Sequence, residues 1–134
     1  MAYYILEALA AQTRQYQDLP FCTFKEPGGN KWHMLSWAGF FDIVEKAACA
    51  LTSIGVAEAS KAIFCTPNRP EALAAELACF YRRICNVPIY AYCSQEQFDF
   101  IVSDSGAHTI FAGARDQYLM ARDYVRRHPH AIDN

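Results

Sequence analysis

No stretch of this sequence approaches the roughly 18 consecutive apolar residues that a membrane-spanning helix needs, and the first residues lack the basic start of a secretory leader. The chain is therefore expected to be soluble and cytoplasmic. A concentration of positive charge is missing too. Twelve Lys and Arg stand against fourteen Asp and Glu, for a net charge of −2. With no basic stripe to neutralise phosphates, nucleic-acid binding is excluded, and Arg126-Arg127-His128 is expected at the solvated end of a helix. The six cysteines, Cys22, Cys49, Cys65, Cys79, Cys85 and Cys93, contain no C-x-x-C pair, and His33, His108, His128 and His130 stand beside no cysteine pair. Neither a disulfide framework nor a zinc site is expected, and the cysteines read as reduced thiols that mostly point inward. Also absent are G-x-G-x-x-G, the Walker pattern and G-x-S-x-G, which leaves no glycine loop to cradle a phosphate and no nucleophile elbow.

What is there is ample apolar material. The 134 residues are 53% hydrophobic with eight Tyr and nine Phe, enough for one domain or part of one. Ile5, Leu9 and Tyr16, with Leu6 and Thr13 alongside, have helical spacing up to Asp18-Leu19-Pro20. Phe21 to Lys25 and Lys31 to Leu35 read as strands of a hairpin around Pro27-Gly28-Gly29-Asn30. Ser36 caps a helix carrying Phe40, Ile43, Val44, Ala47, Leu51 and Ile54, and Gly55 stops it. Ala62 to Cys65 is apolar throughout, as a strand covered on both faces would be.

Asn68 as cap and Pro70 then open a helix with Leu73, Leu77, Phe80, Tyr81 and Ile84 on one side. Its dipole is complemented by Glu71 at the start and Arg82 with Arg83 at the end. Cys85 to Tyr90 is a further strand, Ser94 with Gln97 a capping box, Gly106 the end of that helix, His108 to Ala112 a strand, and Arg115 to Arg127 the last helix. The order β-α-β-α-β-α from Lys61 predicts an α/β fold with parallel strands. Asp104 is placed on an exposed last turn, and His128 and His130, split by Pro129, in a disordered terminus. No catalytic, cofactor-binding or metal-binding residue is assigned.

Leu35-Ser36-Trp37-Ala38-Gly39-Phe40, Ala50-Leu51-Thr52-Ser53-Ile54-Gly55-Val56, Asn68-Arg69-Pro70-Glu71, Val87-Pro88-Ile89-Tyr90, Ser94 to Gln97 and Ile101 to Ala107 occur in this order. Together they resemble the start of the adenylate-forming (AMP-binding) superfamily, over about Leu6 to Val125. Gly39 stands where that family often has glutamate, Ala59-Ser60 where it has Gly-Asp, and Arg83-Ile84 where it has Ala-Gly. Tyr90, where peptide-synthetase and aryl-acid relatives often carry aspartate, resembles the long-chain fatty acid CoA ligases.

The resemblance implies a parent enzyme that joins a fatty acid to coenzyme A through an acyl-adenylate, using ATP and Mg2+. The family's Ser/Thr/Gly-rich loop with its lysine and its other catalytic residues would lie beyond Asn134. The chain is thus expected to be the N-terminal part of the large domain, with residues 1–20 a helix, 21–35 a hairpin and 36–134 an α/β segment. As scaffold it would bind no cofactor and be inactive alone, with the rest of the parent chain as partner. In isolation it would self-associate as a dimer, and the parent would be cytoplasmic or peripheral to a membrane. The alternatives are another adenylate-forming enzyme (an aryl or short-chain acid CoA ligase, or a peptide-synthetase adenylation domain) and a stand-alone non-catalytic α/β binding or interaction domain.

Overall fold

The computed structural model describes residues 4–26 and 28–134. Pro27, in the expected hairpin turn, lies outside them. Helix α1 (Ile5–Tyr16) leads into an antiparallel hairpin of β1 (Pro20–Lys25) and β2 (Trp32–Ser36), then α2 (Trp37–Ser53). There follow β3 (Lys61–Cys65), α3 (Pro70–Tyr81), β4 (Cys85–Ile89), α4 (Gln95–Ser105), β5 (Thr109–Ala112) and α5 (Arg115–Arg127). Strands β3, β4 and β5 form one parallel sheet in the order β4-β3-β5.

The period of two along the central strand β3 decides the layering. Ala62 and Phe64 are buried against α2 and α3, with Ala48, Leu51, Ala78 and Cys79. Ile63 and Cys65 are buried on the other face, with Phe98 and Val102 of α4 and Ala121 and Tyr124 of α5. Helices thus cover both faces, which is why β3 reads as an unbroken apolar run. A third cluster joins Leu9 of α1 to Phe40, Val44, Ala74 and Leu77. There Phe21 of the hairpin stacks on Phe40 at 4.0 Å and meets Trp37 edge-on at 4.9 Å, docking the N-terminal elements onto α2.

Local signals act as read at α2 and α4. The Ser36 hydroxyl accepts the Gly39 amide at 3.1 Å, and Ser94 with Gln97 closes a full capping box. Elsewhere tertiary packing overrides them. The N-cap of α3 is Arg69, without a side-chain bond, and Asn68 stays exposed. The buried face of α3 is Ala74, Leu77, Ala78 and Cys79, whereas Leu73, Phe80 and Tyr81 are exposed. Arg82 and Arg83 lie beyond the helix end, and Arg83 is left-handed at φ 54°. Cys49 and Cys85 are exposed instead of pointing inward.

The residues after α5 are ordered against the sheet, contrary to the expected loose terminus. The Asn134 amide donates to the His108 carbonyl at 3.2 Å and the Ile110 amide to the Asn134 carbonyl at 2.9 Å. This is the pattern of a parallel bridge beside β5. Ala131 and Ile132 pack against the α4–α5 cluster. No helix among the described residues is long and apolar enough to cross a membrane.

Candidate functional site

In an open parallel sheet, ligands collect outside the carboxyl ends of the strands, where consecutive connections depart to opposite faces. Here β3 leads to α3 on one face, while its neighbour β5 leads to α5 on the other. The crevice between them is small, about 300 Å³, because the backbone of Gly113 closes on the turn after β3. A Cβ on Gly113 would lie 2.5 Å from Thr66 Cβ and 2.9 Å from Pro67 Cδ, and the Gly113 amide donates to the Cys65 carbonyl at 3.1 Å.

The larger opening lies on the β4 side. A cleft of about 800 Å³ runs over the ends of β3 and β4, within the size range of small-molecule sites. Its walls include Thr66 to Arg69, Leu73 and Glu76 from the α3 side and Pro88 to Tyr92 from the β4 side. Tyr90 and Tyr92, both largely exposed, meet edge to face with centroids 5.7 Å apart. The backbone ordering of this wall comes from Gln117, a buried side chain of α5 whose Nε2 donates to the Ala91 carbonyl at 2.6 Å.

The polar side chains at the cleft are Thr66, Asn68, Arg69, Glu76, Tyr90 and Tyr92. The lining contains no His, Ser or Cys side chain that could serve as nucleophile or imidazole base. Its cation, Arg69, is engaged by Glu71 at 3.4 Å. The α3 N-terminus is a poor anion site, since Pro70 has no amide hydrogen, the Leu73 amide is taken by the Arg69 carbonyl, and the Glu71 carboxylate sits in the first turn. Among the described residues no three His, Cys, Asp or Glu side chains converge to hold a metal ion. The groups lining this cleft thus offer little to cradle the phosphates of ATP. What the arrangement supplies is a tyrosine pair, an apolar floor and a few polar groups. Leu73 and Tyr92 had no functional signal in the sequence, since Leu73 reads as core and Tyr92 as loop. The N-R-P-E segment and Tyr90 do lie at the cleft.

The chain matches the family model described as AMP-binding enzyme over residues 9–132. No curated protein matches it in sequence. Among solved structures, it is similar to the N-terminal domain of FACL13 from Mycobacterium tuberculosis, at 21% identity and a TM-score of 0.77 over 96% of this chain and 31% of that one. A Mycobacterium tuberculosis fatty acyl CoA synthetase gives 21% identity and a TM-score of 0.74 over 90% of this chain and 23% of that one. The anthranilate CoA ligase AuaEII, in complex with anthranoyl-AMP, gives 11% identity and a TM-score of 0.81 over 98% of this chain and 24% of that one. The chain thus spans less than a third of each of these structures. Its hairpin and three-stranded parallel sheet have the fold of the corresponding part of the N-terminal domain of adenylate-forming enzymes, and with nearly its whole length matched, the chain belongs to the AMP-binding enzyme family.

Proposed function

We propose that the chain is the N-terminal scaffold portion of an acyl-CoA ligase that activates a long-chain fatty acid. In this reaction the carboxylate attacks the α-phosphorus of ATP and pyrophosphate leaves. The thiol of coenzyme A then attacks the acyl carbon of the adenylate and AMP leaves. The match over residues 9–132 carries the reaction class. The substrate class rests on Tyr90, an exposed neutral aromatic at the cleft rim where aryl-acid relatives often have aspartate. In this reading the 134 residues supply part of the large domain's sheet, while the ATP, Mg2+ and coenzyme A sites are completed by other segments of the enzyme.

Two measurements test it. Calorimetry on the 134-residue chain with Mg2+-ATP should show no binding, and micromolar affinity would defeat the scaffold reading. If the reading frame continues past Asn134, the longer protein should release pyrophosphate most rapidly with long-chain fatty acids. Preference for an aryl or short-chain acid would overturn the substrate assignment, and no release with any acid would overturn the ligase assignment.

A further inference from the structure

Two cysteines meet behind the wall of the cleft. Cys65, the last residue of β3, is fully buried, and its Sγ is aimed at the Tyr90 carbonyl 4.0 Å away. The same carbonyl accepts the Cys93 amide at 3.0 Å. The half-buried Cys93 side chain packs into the cluster that contains Cys65, Ile63, Ile89 and Phe98. One acceptor thus draws together the sulfur of one residue and the backbone of the other. The side chains also interact, because burial first, and Cys93 after it, pushes the Cys65 thiol up to about 11. The other cysteines are distributed elsewhere: Cys22 on β1, Cys49 on α2, Cys79 in the core on the opposite face of the sheet, and Cys85 at the start of β4.

We propose that Cys65 and Cys93 form a redox modification site, oxidised to an intramolecular disulfide by a hydroperoxide. The order of events follows from exposure. Cys93 is the member that an oxidant can reach, whereas Cys65 is sealed in the core. The Cys93 sulfur, as thiolate, attacks one peroxide oxygen, the O–O bond breaks, and water or an alcohol departs, leaving a sulfenic acid on Cys93. The Cys65 sulfur then attacks the Cys93 sulfur, the S–O bond breaks, a second water leaves with the thiol proton, and the S–S bond forms. Two thiols have lost two electrons and two protons, and the peroxide has taken them up. The raised affinity of Cys65 for its proton makes this second step slower than it would be for an ordinary thiol, because the thiolate is the attacking species. The product ties the end of β3 to the Tyr90–Cys93 turn, whose residues Tyr90, Ala91 and Tyr92 form one wall of the cleft. Oxidation would thereby fix that wall.

The test uses the 134-residue protein with Cys49→Ser and Cys85→Ser, which removes the two exposed thiols and leaves four. After treatment with hydrogen peroxide and quenching, thiol titration in denaturant should fall from four to two. Non-reducing peptide mapping should find the Cys65 and Cys93 peptides joined. In this background Cys65→Ser should leave a sulfenic acid on Cys93 that dimedone traps, and Cys93→Ser should leave the buried Cys65 thiol free. Mapping of the unsubstituted protein decides the matter should a variant fail to fold. A disulfide joining other cysteines, or Cys93 carried to sulfinic acid with Cys65 still free, overturns the proposal.

Discussion

Ala59 and Arg83 face each other across the N-terminal end of the sheet, both with left-handed backbone, at φ 60° and 54°. The Ala59 amide donates to the Arg83 carbonyl at 3.0 Å, so the two turns hold one another in place. For a residue with a Cβ this conformation costs about 1–2 kcal/mol, which glycine avoids at the expense of a more flexible unfolded chain. Ala59→Gly and Arg83→Gly should therefore each stabilise the protein, by about 0.5–1 kcal/mol in urea unfolding. The sequence pattern put the glycine of the Ala-Gly pair at Ile84, but Ile84 is buried and the left-handed residue is Arg83, one position earlier. Backbone sign is not written in a short motif, which is why the register slipped. Gly113 is the opposite case. Its need for hydrogen alone comes from the close approach of Thr66 and Pro67, distant in sequence and invisible locally. Gly113→Ala should destabilise by about 2 kcal/mol through overpacking and loss of the amide bond to Cys65, measurable by the same unfolding curves.

Helices α4 and α5 are tied by a polar cluster at one end. Arg127 reaches Asp99 at 2.7 Å and Asp123 at 3.0 Å, while Gln95 donates to Asp99 at 2.8 Å and to the Met120 carbonyl at 3.1 Å. Burial pushes the Asp99 carboxyl upward, but hydrogen bonds from Arg127 and Gln95, with the charges of Arg127 and His128, outweigh it and hold Asp99 below the ordinary carboxylate range. A carboxyl lowered on folding stabilises fully above its unfolded value near ~4 and loses that contribution as pH falls through the folded value. Asp99→Asn should accordingly lower the melting temperature at neutral pH, and the deficit should shrink as pH falls below the ordinary carboxylate range and the folded carboxyl takes up its proton. An undiminished deficit there would show that the effect is packing and not charge. The cluster was hidden in the sequence, where Arg126 to His128 read as a solvated run. By contrast the α4 capping box was legible, because Ser94 and Gln97 satisfy each other within one turn. The face of α3 was not, since a helix reading Pro-Glu-Ala-Leu-Ala-Ala-Glu-Leu-Ala-Cys-Phe-Tyr offers apolar residues on several sides. Packing against α2 selected the side with the small Ala74 and Ala78.

At the scale of the whole molecule, the layered α/β order was legible because the apolar run of β3 and the caps at Ser36 and Ser94 are local signals, while the cleft was not, because its two walls come from separate loops. The surface left over has its own consequence. The chain exposes 8618 Å², whereas a compact monomer of its 15.1 kDa is expected to expose about 7,100 Å². The excess of roughly 1,500 Å² on one chain is about twice the ~800 Å² that a standard stable interface removes from each partner. Part of it is apolar and contiguous along a helix, since Leu73, Phe80 and Tyr81 all lie on α3 with more than two fifths of their surface exposed. Near them β4 ends the sheet on one side, with Pro88 unable to donate to a further strand, so side-chain contact is a better route to association than strand addition. The isolated chain should therefore self-associate, most simply as a two-fold dimer that buries this face of α3. Light scattering across a concentration series should rise from 15.1 kDa toward twice that mass. Phe80→Glu should move the midpoint to at least about tenfold higher concentration, the equivalent of ~1.4 kcal/mol, without lowering the melting temperature of the dilute protein. A monodisperse monomer at high concentration that binds no hydrophobic dye would mean that the α3 face is tolerated in water and that the excess area has no partner to seek.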